Sequence, residues 1–415
     1  MSETSAGTAA ATGFRLGTRP ALDGIRGLGI ALVVVFHSMT YLVDWYGAYG
    51  ERVLPGAFLA VDVFFALSGF LITILLLEER ARNGQWSFTR FYVRRALRLL
   101  PAVLAVLGLF AVYVVLSPEA GVRDLARTVF RVLTYSSNFV IGEDPFLTTW
   151  FGQSWSLAIE EQFYVVWPLA LAGLIAATRD RPRAMVGTLA ATVVALALWR
   201  AALIGIHDGV WSAVYYRTDA RLDQPLVGAL LAVAVHHGLV SDRPRPRLGL
   251  VALGIWVLAT LVASPFELAY YRFWAPVMVV TSAALVLGVL HGEGLAARAL
   301  SLPPMRWLGR LSYALYLVHV PVFVAVLRAM PGEGRNVARV AVANLLALAI
   351  TVAVHRLVEQ PALRLKARFS PAGDRPELAP TAPEPAPAVP GAALPGALAG
   401  PDGMVVTPAA EGEAP

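Results

Sequence analysis

The sequence predicts an all-α protein: a polytopic membrane bundle of about ten transmembrane helices, with both termini cytoplasmic. Three observations carry this. Hydrophobic residues make up 57% of the 415-residue chain and charged residues only 15%, where a soluble domain carries about 25% charged residues. Mean hydropathy is +0.62. The apolar residues also gather into ten runs near the roughly 20-residue length that a bilayer requires.

Those runs cover 22–41, 57–78, 98–117, 154–177, 184–205, 222–237, 248–263, 273–291, 308–330 and 338–358. The sixth and seventh are the shortest. The net charge of +6 is almost wholly arginine, since Lys366 is the only lysine. Arginines crowd the loops after the even-numbered runs: Arg80, Arg82 and Arg90 after the second, Arg179, Arg181 and Arg183 after the fourth. The positive-inside rule then places both termini in the cytoplasm. Basic charge held in short loops between apolar runs argues for a lipid bilayer as partner and against nucleic acid. Residues 1–19 lack the apolar core of a signal peptide and are expected to be a flexible N-terminus. Residues 20–368 form the membrane domain. Residues 369–415, rich in Pro and Ala, are expected to be a disordered cytoplasmic tail with no room for a second catalytic domain. There are no cysteines, so disulfides, Fe–S clusters and thiolate metal sites are excluded.

An ionisable group at a helix centre in a bilayer costs about 2.5–3.5 kcal/mol on insertion scales, so each is a functional candidate. The first run, "LDGIRGLGIALVVVFHS", carries two. Arg26 and His37 stand about three helical turns and about 16 Å apart, within roughly 20° of one face. Neutral histidine is the usual general base near neutral pH. The plainer reading is a packing histidine and a snorkelling arginine. Asp62 in the second run and Glu160 and Glu161 in the fourth enter to a similar depth from the opposite side. Adjacent helical residues diverge by about 100°, so one of the two glutamates at most faces a given site. The sixth run opens "YRTDARLDQP" and brings in Asp219, Arg221 and Asp223; the plainer reading there is a salt-bridge network between helices. Arg95 and Arg98 share a helix face at the mouth of the third run, where they could fork around phosphate oxygens or simply anchor the helix end. His319, mid-membrane in the ninth run, either reaches the site or packs. His355 and Glu359 read as structural groups at the interface. There is no P-loop, no G-x-S-x-G elbow and no zinc-helix histidine pair, so no metal is expected.

In order along the chain, "LDGIRGLGIALVVVFH", "VDVFFALSGFLI", "RRALRLLP", "SWSLAIEEQFYVVWP", "TDARLDQPLVGALLA", "LGRLSYALYLVHVPV" and "EQPALRL" resemble the motifs of the acyltransferase 3 family of bacterial integral-membrane O-acyltransferases. The resemblance covers about residues 20–368. It implies a ten-helix core in the cell membrane that moves an acyl group, usually acetyl, from cytoplasmic acyl-CoA to a hydroxyl of a cell-envelope carbohydrate or a secreted metabolite such as a macrolide. It makes Arg26 and His37 the essential pair and gives Arg95 and Arg98 the CoA side. Ala60 and Gln224–Pro225 depart from the family pattern near the outer mouth, which bears on the acceptor. On this reading His37 is the base, Glu160 or Asp62 orients its ring, and Arg221 or a backbone dipole stabilises the oxyanion. An acyl-histidine intermediate is the variant. Glu161, Asp219, Asp223 and His319 complete the substrate-binding candidates. The rivals are a transporter or flippase using the same buried groups, and a scaffold whose charges only lock helices together.

Overall fold

The computed structural model describes residues 14–43, 54–117, 122–141, 150–241, 243–264, 266–332 and 334–367. The tail expected over 369–415, and all but residues 14–19 of the expected N-terminal segment, lie outside the described residues. Within them the chain is helical, with no strand.

Each of the ten apolar runs contains a helix. They are α1 Pro20–Leu42, α2 Ala60–Asn83, α3 Phe88–Leu116, α4 Ser154–Ala177, α5 Pro182–Ile206, α6 Asp223–His236, α7 Pro246–Val262, α8 Ala275–Val289, α9 Pro303–Ala329 and α10 Asn336–Val354. Their ends are chemically marked. Proline occupies the first turn of α1, α5, α7, α8 and α9, where its missing N–H costs no helical bond. Gly84 closes α2 in the left-handed region, at φ 71°, the usual chemistry of a helix stop. Arg179 and Asp180 take positive φ between α4 and α5 without being glycine. π-helical turns lead into α8 at Tyr270–Trp274 and follow α10 at His355–Glu359.

Among the described residues, eight helical segments are long and apolar enough to cross a membrane. The sixth and seventh runs fall short of that length: α6 has 14 residues and α7 has 17. At about 1.5 Å per residue α6 spans about 21 Å, against a hydrocarbon core of about 30 Å. The reason is visible in its burial. α6 is sheathed by protein on nearly every side, and the irregular stretch before it carries Arg221 into the interior. Non-helical backbone at such depth is tolerated where protein covers it. By contrast Leu104, Val115, Val166 and Leu198 on α3, α4 and α5 are exposed, as lipid-facing side chains are. A soluble protein would not leave so large an apolar surface bare.

Two helix pairs make the most extensive contacts, α1 with α9 and α2 with α6. Both are glycine seams. A methyl at Gly27 would overlap the carbonyl of Met305, and one at Gly309 that of Asp23. Across the other seam, Gly69 meets the carbonyl of Pro225 and Gly228 that of Ala66. Helices in lipid gain little from hydrophobicity and associate through close van der Waals approach, which small residues permit. These seams fix the register of the side chains described next.

Candidate active site

Two adjoining cavities run along α1. The larger, about 470 Å³, is lined by Arg26 from α1, Ser68 from α2, Arg95 and Arg98 from α3, Glu160 and Glu161 from α4, and Arg310 and Tyr313 from α9. The chain after α10 closes it with His355 and Glu359. The smaller, about 70 Å³, holds His37 in an aromatic wall that includes Tyr41, Phe58, Trp155, Tyr215 and Tyr216. Val61 and Tyr316 line both cavities. Arg26 and His37 thus face different chambers on either side of a shared wall.

The charges of the large chamber are not equivalent. Arg95 donates to Glu161 at 2.8 Å and stacks 3.3 Å above the Tyr164 ring. Glu160 accepts hydrogen bonds from the Ser68 and Tyr164 hydroxyls. Its neighbour Glu161 is the more buried of the two. Both glutamates therefore line the chamber, through different partners, although their side chains diverge. His355 and Glu359 pair at 2.5 Å, and they line the chamber as well as bracing it. Among the described residues, Arg26, Arg98 and Arg310 line it without an ion pair within 4.0 Å. The Arg95–Arg98 fork is thus split. Arg95 is engaged by Glu161, and Arg98 shares its position with Arg26, beside which it also lines a smaller recess.

His37 has a different neighbour from the one expected. Its Nδ1 lies 2.9 Å from Nε2 of His319, and no carboxylate among the described residues bonds to it. Glu160 is held by Ser68 and Tyr164. Asp62 is held by Arg221 at 3.1 Å and by the Tyr270 hydroxyl at 3.2 Å. Neither is hydrogen-bonded to the His37 ring: Glu160 lines the other chamber, and Asp62 lines neither. Arg221 lines neither chamber; its Nε and Nη1 donate to the Tyr215 carbonyl, Asp62 and Tyr270, while its buried Nη2 has no partner among the described residues. Its place outside both linings does not support a role as oxyanion donor. Asp223 pairs with Arg200 at 2.6 Å, with both side chains buried. Asp219 lies apart, half-exposed, bonded to Arg217 and Trp199. Burial alone would raise the Asp219 carboxyl, but these hydrogen bonds outweigh it and hold it below its ordinary range. The group Asp219, Arg221 and Asp223 is therefore a set of separate structural pairs.

Several residues escape sequence reasoning. Arg200, inside "ALALWRAAL", gives the same signal as Arg26, a lone charge in an apolar run. Tyr316 is legible only as the residue one turn before His319. Its hydroxyl donates to the Gln153 carbonyl at 2.7 Å and meets Ser156 at 2.6 Å, which pins the wall between the chambers. Ser68 and Tyr164 have no pattern that selects them.

A helical membrane bundle with a cation-lined chamber beside a half-buried histidine defines a class. The chain belongs to the acyltransferase 3 family: that family's acyltransferase-domain model matches residues 19–356. It is a multi-pass bacterial membrane protein. It is 32% identical over 323 residues to the putative peptidoglycan O-acetyltransferase YrhL of Bacillus subtilis, covering 74% of this chain and 48% of that protein. Over 318 residues it is 28% identical to the peptidoglycan O-acetyltransferase OatA of Listeria monocytogenes, covering 73% and 49%. It is 32% identical to the O-acetyltransferase OatA of Staphylococcus aureus, covering 74% and 51%. The chain thus spans about half the length of the curated relatives it matches. No solved structure matches it.

Proposed function

We propose that this chain is a membrane O-acyltransferase that moves an acetyl group from cytoplasmic acyl-CoA to a hydroxyl of a cell-envelope carbohydrate. The observation that carries the reading is the division of labour along α1. Unpaired arginines stand in one chamber, a histidine stands in the next, and the two chambers share a wall. Arg26, Arg98 and Arg310 would hold the phosphates of the donor, as guanidinium groups do with geometric fidelity. We read this chamber as facing the cytoplasm and the bundle as crossing ten times, a reading supported by the crowding of arginine in alternate loops. The acceptor hydroxyl would meet His37 from the aromatic chamber. Aromatic faces suit the apolar faces of a sugar ring, and the relatives' names point to a carbohydrate.

The chemistry balances on His37. Its neutral ring takes the hydroxyl proton as the oxygen attacks the thioester carbonyl carbon. The carbon–sulfur bond breaks, and the thiolate takes the proton back from His37. An ester and a free thiol leave, and the ring is neutral again.

The test is acetyl transfer in inverted membrane vesicles carrying the protein, loaded inside with cell-wall glycan and supplied outside with radiolabelled acetyl-CoA. Label is expected to move into the glycan and to be lost in Arg26→Ala and His37→Ala. Movement of an unmodified substrate across the vesicle membrane, with no ester formed, would favour the transporter reading. Ester formation on a secreted small molecule and not on glycan would correct the acceptor.

A further inference from the structure

A histidine base needs a ring nitrogen that carries a lone pair and faces the acceptor. The hydrogen bonds around His37 decide which nitrogen that is. Nδ1 of His37 and Nε2 of His319 lie 2.9 Å apart, so one donates and the other accepts. The other nitrogen of His319, Nδ1, lies 2.8 Å from the Leu315 carbonyl oxygen, one turn back along α9. A carbonyl can only accept, so His319 Nδ1 carries a proton. A neutral imidazole carries one proton. His319 Nε2 is therefore the acceptor, and His37 Nδ1 the donor. That leaves His37 Nε2 bare.

We infer that His319 is a positioning residue: it locks His37 in the Nδ1–H tautomer and so makes Nε2 the base of the acyl transfer. The catalytic half of this rests on the function proposed above; the tautomer does not. Imidazole side chains in water favour the opposite, Nε2–H form, so the lock has work to do. The structure holds it firmly. His319 is fully buried, with Tyr316 and Phe323 rings on either flank. The Gly27 and Gly309 contacts hold α1 against α9. The logic is that of a serine-protease histidine, whose carboxylate partner fixes the tautomer, with a neutral ring in the carboxylate's place. When the hydroxyl proton reaches Nε2, His37 keeps its Nδ1 proton directed at His319. The proton on Nε2 then returns to the departing thiolate.

The test is nitrogen NMR of the full chain, labelled with ¹⁵N-histidine and reconstituted in lipid. The His37 signals are assigned by their loss in His37→Ala. The wild type should show His37 protonated at Nδ1 and bare at Nε2. In His319→Phe the ring should revert to the Nε2–H form. There kcat should fall by roughly 10²–10⁴-fold, the contribution of a positioned general base, whose upper end is about the loss of a triad histidine in the wrong tautomer, with KM for acetyl-CoA unchanged. His319→Gln places a carbonyl oxygen near the lost Nε2. It should keep the Nδ1–H tautomer and recover most of the rate, and it stands as the comparison if the Phe variant does not fold. A wild-type His37 protonated at Nε2, or a tautomer indifferent to His319→Phe, overturns the lock. The correct tautomer in a protein that transfers no acetyl would sink the proposed function and leave the lock standing.

Discussion

The α1–α9 seam and the α2–α6 seam are built alike and put to different uses. Each is a pair of helices brought together by glycines that leave no room for a methyl. Each carries charged or ionisable side chains deep in the bundle. Along α2–α6 the charges cancel in fixed pairs: Asp62 with Arg221, and Asp223 with Arg200, all four side chains no more than 1% exposed. Along α1–α9, Arg26 and Arg310 face a chamber without an ion pair, and the His37 ring has its one hydrogen bond among the described residues with another histidine. Depth in a membrane marks both sets as costly. What separates them is whether a fixed partner already satisfies the charge. On the proposed function, the paired groups hold helices and the unpaired groups bind and react.

The largest expected effect is on activity at the α1–α9 seam. His37→Ala and Arg26→Ala should each lower acetyl transfer by about 10²–10⁴-fold, with thermal midpoints in detergent close to wild type. Next comes stability at the other seam. Asp62→Ala strands Arg221 in the interior, and Asp223→Ala strands Arg200. Breaking a buried pair in this way costs roughly 3–5 kcal/mol, read as a lowered melting midpoint. The same steric insult on both seams sharpens the contrast. Gly27→Ala and Gly228→Ala should each cost about 1–3 kcal/mol by overpacking. Only Gly27→Ala should lower kcat beyond its effect on folded fraction, because it wedges α1 away from α9 and stretches the 2.9 Å His37–His319 contact.

The smallest effect lies outside the bundle. Arg80 donates two hydrogen bonds to Asp180, in the turn between α4 and α5, and they hold the Asp180 carboxyl below its ordinary range. A depressed carboxyl stabilises the fold above its unfolded value and loses that contribution as pH falls through the folded value. The pair is a third to a half exposed, so solvent screening limits it to about 0–1 kcal/mol. Melting curves of wild type and Asp180→Asn should differ slightly at neutral pH and converge on acidification below the carboxylate range.

The sequence lays out the ten helical runs because apolar length is a local property. It also shows which of them carry charge. It does not show pairing, because partners come from distant helices: Arg221 finds Asp62 across 159 positions and His37 finds His319 across 282. Hence Arg26 and His37 are legible as two ionisable groups on one helix, while the pairing of Asp62 with Arg221 and of Asp223 with Arg200 is not. The sixth run already reads as one of the two shortest, but the reason that a helix so short suffices is not legible. Burial by neighbours, which allows a short helix and an irregular entry, leaves no periodic mark in an all-apolar run.

The most direct measurement sets the two seams side by side. Acetyl transfer from labelled acetyl-CoA and the melting midpoint would be recorded on one purified set: wild type, Arg26→Ala, His37→Ala, Asp62→Ala and Asp223→Ala. The first two variants should lose transfer and keep their stability. The last two should lose stability, with any surviving folded protein still active. Transfer that persists without Arg26 and His37, or that vanishes in stably folded Asp62→Ala, would contradict this division between the seams.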